Sequence, residues 1–134
     1  MNNLNKKYFK DNSNKIRLSK LRSIFNLWDI YNDGFLKAID LLEIGRMRRS
    51  LKQVDDSEWT LERNNDLLQD MDYDGDGKIS SSEFCNYFNK ILPKQEKEFN
   101  KNIDSFNDLG LIRKKIKKQN ELLLIEEEWE IINN

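Results

Sequence analysis

The chain has 134 residues, of which 37% are hydrophobic and 35% charged, and 23 Lys and Arg stand against 24 Asp and Glu for a net charge of -1. That length fits one domain with a modest core, and the near-balance of signs argues against a general nucleic-acid binder. Histidine is absent, which excludes imidazole catalysis and most zinc sites.

The single cysteine, Cys85, has no internal partner for a disulfide and adjoins Phe84 on an apolar helix. It reads as a packing residue, and its solitude fits a reducing, cytoplasmic setting. The longest apolar run is Leu122 to Ile125, so neither a membrane span nor a signal-peptide core is expected.

With one proline and five glycines, the sequence reads as all-α. Residues 1–13 form a polar N-terminal segment. Leu21, Ile24, Phe25 and Trp28 then fall at i, i+3, i+4 and i+7, the apolar stripe of a first helix. "NDG" at 32–34 interrupts it. A second helix is expected over roughly 38–52, with Leu41, Ile44, Met47 and Leu51 as its spine. "VDDSEWT" supplies capping residues for a third, carrying Leu67, Leu68 and Met71. After "DGDGK", Phe84, Phe88 and Ile91 line a fourth, which stops near Pro93. Residues 14–93 are therefore two helix–loop–helix units.

The loop between the third and fourth helices carries the chemistry. "DYDGDGKISSSE", Asp72 to Glu83, crowds four carboxylates into twelve residues, where they repel one another unless a cation lies between them. Oxygen ligands at positions 1, 3, 5, 7, 9 and 12, with a sharp Gly turn at position 6, wrap Ca2+. Asp72, Asp74 and Asp76 occupy positions 1, 3 and 5, and Gly77 position 6. Lys78 lends a backbone carbonyl, Ser80 reaches the ion through water, and Glu83 gives both carboxylate oxygens at position 12. A bidentate Glu favours Ca2+ over the smaller Mg2+. Ile79, at position 8, is the apolar residue expected to pair with a sister loop.

On these residues the chain resembles the EF-hand superfamily, in the calmodulin-like sense of paired hands, over residues 14–92 and most closely over 64–92. The resemblance implies one Ca2+ site and no chemistry beyond binding. The first loop, "DIYNDGFLKAID", departs from the pattern. Asp29 stands at position 1, Asp33 at 5, Phe35 at 7, Leu36 at 8 and Asp40 at 12. Tyr31 takes a carboxylate's place at position 3, and Lys37 brings a positive charge to position 9. Losing a ligand and adding a cation weakens ion binding, so this loop is expected to be ion-free, pairing Leu36 with Ile79 while Phe25 and Trp28 fill a shared core.

Residues 94–134 read as a helical extension for packing or partner binding. Phe99, Ile103 and Phe106 mark a fifth helix that ends at "LGL", where Gly110 suits a left-handed cap. A sixth, about 111–132, carries Ile112, Ile116, Leu122, Ile125, Trp129 and Ile132. "RKKIKK" leads it and "EEEWE" trails it, and both blocks oppose the helix dipole. A helix so charged should fray alone, so Ile112, Ile116, Ile125 and Trp129 are the candidate contacts to a protein partner. The other reading has the tail packing into the protein's own groove.

Half-degenerate hands with helical extensions resemble calmodulin-like subunits of cytoskeletal machines, such as myosin light chains, centrins and the EF-hand proteins of ciliary microtubules. "EWTLERNNDLL", "EFCNYF" and "LPKQEKEF" are most similar to the last group. That resemblance implies microtubule-associated or axonemal partners. Two roles remain open, a regulatory or structural subunit and a free calcium sensor that opens an apolar groove. No nucleophile–base pair or phosphate-cradling glycine loop supports an enzyme.

Overall fold

Between Leu18 and Trp28 the apolar residues recur every three or four positions, and they define the inner face of the first helix, α1 (Asn2–Trp28). In the computed structural model, which describes residues 2–51, 53 and 58–133, a two-residue strand β1 (Phe35–Leu36) and helix α2 (Ala38–Ser50) follow. Then come α3 (Leu61–Met71), β2 (Ile79–Ser80), α4 (Ser81–Ile91) and α5 (Glu96–Asn133). The side chains of residues 1–11 lie outside the description, as do Lys52 and residues 54–57, the "VDDS" part of the expected "VDDSEWT" capping stretch. The cap itself is Thr60, whose hydroxyl accepts the Arg63 N–H at 3.1 Å.

The fold is all-α with a short antiparallel bridge, in which Leu36 pairs with Ile79 and Phe35 with Ser80. Leu36 and Ile79 are both fully buried, so the bridge is also the floor of the core. α1 packs on α4 and α5, while α2 packs on α3 and α5. Trp28 sits where these layers meet. Its ring lies 5.3 Å from Phe84, 6.4 Å from Phe88 and 5.2 Å from Phe106, and its indole N–H donates to the Phe106 carbonyl at 2.9 Å. Aromatic edge-to-face packing plus a satisfied indole makes this a rigid junction. Cys85 is buried and reduced, and burial pushes its thiol up, so its place in the molecule is packing. Ile91, expected on the inner face of α4, is half exposed instead.

The expected break at Gly110 is absent. α5 is one helix of 38 residues, and the two C-terminal helices read from the sequence are its halves. The glycine serves a close approach. A Cβ on Gly110 would fall 2.5 Å from Leu27 Cγ and 3.0 Å from Trp28 Cδ1, so only a bare backbone lets α5 cross α1 at this depth. The first half of α5 belongs to the core, with Phe99, Phe106 and Leu109 all buried. The Arg17 guanidinium caps the Phe99 ring at 3.9 Å and donates to the Pro93 carbonyl at 2.8 Å, fixing the turn into α5.

If residues 96–110 are core and not appendage, Phe106→Ala should destabilise the whole domain by about 3–5 kcal/mol. Chemical denaturation would then show one transition moved to lower denaturant. A mutant that frays α5 while the rest melts unchanged would contradict this.

Candidate metal centre

The loop from Asp72 to Glu83 begins where α3 stops and ends inside the first turn of α4. Asp72 is the C-cap residue of α3. Its Oδ2 accepts the Gly77 N–H at 2.8 Å, folding the loop back on its first residue. Gly77 makes that turn at φ +79°, a left-handed conformation that costs glycine almost nothing. The Asp76 and Lys78 N–H groups donate to Asp74 and Asp76 at 3.2 and 3.0 Å. At the far end Ser80 and Glu83 form a reciprocal capping box: Ser80 Oγ accepts the Glu83 N–H, and Glu83 Oε1 accepts the Ser80 N–H. Glu83 Oε2 reaches across to the Asp74 N–H at 3.3 Å, so both its oxygens lie within the loop.

This folding gathers Asp72, Asp74, Asp76 and Glu83 so that one carboxylate oxygen from each lies within 4.8 Å of the others. Two oxygens on opposite sides of one Ca2+ stand roughly 5 Å apart, so the set is of the size that a single cation spans. Asp72 Oδ1 is buried and has no hydrogen-bond donor, an orphaned acceptor of the kind a cation satisfies. The Asp76 N–H donated to Asp74 pulls its carboxyl down, yet desolvation and the neighbouring Asp72 and Asp76 outweigh it and leave it raised. The four residues could hold a metal ion. Lys78 is exposed, with its ammonium 5.1 Å from the Phe35 ring.

The first loop repeats the same backbone frame. Asp29 accepts from Gly34 at 2.9 Å, Asp33 accepts from Phe35 at 3.1 Å, and Asp40 accepts the Lys37 N–H at 2.8 Å. These bonds match the Asp72–Gly77, Asp76–Lys78 and Glu83–Ser80 bonds position for position. The Phe35 N–H, with Asp29 and Lys37 adding to it, holds the exposed Asp33 carboxyl below the usual range. Among the described residues only the second loop gathers three or more potential metal ligands closely enough to share one ion.

What the sequence did not reveal is the partner of Asp40. Arg113, buried to 4% exposure, donates from one Nη to Asp40 Oδ1. From the other it donates to the Trp28 carbonyl at 2.7 Å, and from Nε to Glu43 at 3.0 Å. One turn on, the Lys117 ammonium lies 3.3 Å from the Ile30 carbonyl and 4.6 Å from the Tyr31 ring. Two cations of α5 thus grip the first loop. Within "RKKIKK" nothing local marks the first residue, Arg113, as buried.

The candidate partner contacts divide. Ile112 is half buried, while Ile116, Ile125 and Trp129 are exposed on the outer part of α5. A separate cleft of about 450 Å³ opens between α2, α3 and α4, floored by Leu41, Ile44 and Phe88 and edged by Arg48, Arg49 and Arg63. No helix among the described residues is long and apolar enough to cross a membrane.

No protein-family model matches the chain, and no solved structure matches it. The candidate metal centre therefore stands on its own geometry.

Arg113→Met should cost about 3–5 kcal/mol, because it strands the buried Asp40 carboxylate. The double variant with Asp40→Asn should recover part of that loss. Equal and additive effects in a double-mutant cycle by urea denaturation would show that the two side chains are not coupled.

Proposed function

We propose that this chain is an EF-hand protein with one Ca2+ site, acting as a regulatory or structural subunit by binding other proteins. The observation that carries the reading is the convergence of Asp72, Asp74, Asp76 and Glu83 around a buried carboxylate oxygen that no donor satisfies. Backbone frames that match in two loops, joined through Leu36 and Ile79, support a pair of hands. Asp72, Asp74, Asp76 and Glu83 would bind the ion directly, the Lys78 carbonyl would add a fifth contact, and Ser80 would act through water.

In the first hand the Arg113 guanidinium takes the place beside Asp40 where a cation would otherwise be needed. This supports an ion-free loop with a bracing role. Its Lys37 ammonium, 3.8 Å from Asp33, supplies further internal positive charge. The chain acts without chemistry of its own in this reading, since its crowded carboxylates are accounted for by the ion. A cytoskeletal or ciliary setting rests on the sequence resemblance alone.

The burial of Phe99, Phe106 and Leu109 against α1 and α4 favours a brace, because α5 already fills that side of the core. The cleft beside Leu41 and Ile44 favours the alternative, a calmodulin-like sensor that takes a target helix there.

Calorimetric titration of Ca2+ into the full chain, in a Mg2+ background, should give one site. Glu83→Gln should weaken it about tenfold or more, a change of at least about 1.4 kcal/mol, because a bidentate carboxylate becomes a neutral amide. Two equivalent sites, or an affinity unchanged by Glu83→Gln, would sink the assignment.

A further inference from the structure

The outer half of α5 carries an exposed apolar stripe and two charge blocks. Lys117 still reaches the body through Ile30 and Tyr31, and from Lys118 to Ile132 every residue is exposed. Leu122, Ile125, Trp129 and Ile132 are 52%, 60%, 65% and 81% exposed. Their spacing of three, four and three is the seam of a two-stranded coiled coil, and toward the domain the same line runs through Lys118 and Lys115 to Leu111, also exposed. At about 100° per residue, Trp129 lies about 160° around the helix from Arg113. The seam therefore faces away from the side that binds α5 to the core.

We propose that this seam is the interface of an antiparallel homodimer, in which α5 of one copy lies along α5 of a second, crossing near Leu122. The proposal rests on the reading of outer α5 as a partner-binding surface and names the partner; it does not depend on the ion.

Charge identifies the occupant. Lys114, Lys115, Lys117 and Lys118 form one block, and Glu126, Glu127, Glu128 and Glu130 form the other. The blocks centre on Ile116 and Glu128, each six residues from Leu122. A two-fold axis near Leu122 therefore lays each basic block over the acidic block of the other copy. Parallel pairing would stack like on like, which is repulsive at helix-contact distance.

The same arrangement supplies what α5 lacks. Its last turn holds Glu130 and no basic residue, with Glu126, Glu127 and Glu128 just before it, so acid faces the negative end of the helix dipole. The second copy's lysines would neutralise that end. Its Trp129 would lie over the stripe at Leu111, Lys115 and Lys118, an apolar and cationic bed suited to an indole face. Because every contact occurs twice, the interface closes on itself and stops at two chains.

The full chain should sediment at twice its 16.1 kDa mass in low salt and dissociate as salt is raised. Lys114→Glu with Lys118→Glu should be monomeric, as should Glu126→Lys with Glu128→Lys. An equimolar mixture of the two should regain the dimer. These residues are exposed, so folding is not at stake. Under oxidation Leu122→Cys should crosslink between copies, while Ile132→Cys should not, since antiparallel helices bring only the centre together.

A monomeric wild-type chain in low salt, variants that fail to pair on mixing, or an Ile132→Cys crosslink as efficient as that of Leu122→Cys would each overturn the proposal. A monomer that binds an unrelated protein through Trp129 would overturn the second copy as partner and leave the partner-binding reading standing. Calorimetry decides the calcium reading whichever mass is found.

Discussion

The Arg113 guanidinium holds three helices at one point. From the middle of α5 it touches both the end of α1, through the Trp28 carbonyl, and the start of α2, through Asp40 and Glu43. A buried charge is expensive unless its donors are used, and here Nε and both Nη groups are engaged. That requirement fixes the rotation of α5, and with it the depth at which Phe106 meets Trp28. Glu43 is half exposed, so its share of the ion pair is screened and Asp40 carries the greater part. The outward direction of the last residues of α5 follows from the same fixed rotation.

The two loops share one frame and balance their carboxylates in different ways. Their backbone bonds agree, and both end in a carboxylate that accepts the N–H three residues earlier. They differ in how the remaining charge is balanced. The second gathers four carboxylates and leaves Asp72 Oδ1 without a donor. The first holds fewer acids and draws its positive charge from Lys37 and Arg113. Through the Leu36–Ile79 pair the loops share one strip of core, so stiffening one restrains the other.

What was legible in the sequence was local. Asp72, Asp74, Asp76 and Glu83 reach one point because they lie within a single turn-rich loop, and their spacing is their geometry. The Leu36–Ile79 bridge was legible for the same reason, as an apolar residue at the same place in each loop. Gly110 was misread because a glycine after an apolar run suits both a helix cap and a close helix crossing. Only the position of Leu27 and Trp28 separates the two. Arg113 was not legible at all. Its partner lies 73 residues away, and within "RKKIKK" no pattern of spacing sets one cation apart from its neighbours. Long-range ion pairs leave no periodic trace.

The tie between Asp40 and Arg113 also has a consequence for how this sequence can change. A glutamate at position 40 would extend the carboxylate by one methylene into the space the guanidinium fills. A neutral residue at position 113 would leave the carboxylate buried and unmatched. Either step alone costs stability, so single substitutions are disfavoured at this pair. Exposed residues of the first loop that neither Arg113 nor Lys117 touches can change while the pair stays frozen. Divergent copies of this chain would be recognised by an acid at position 40 and an arginine at 113 changing together, even where the rest of the loop has been rewritten.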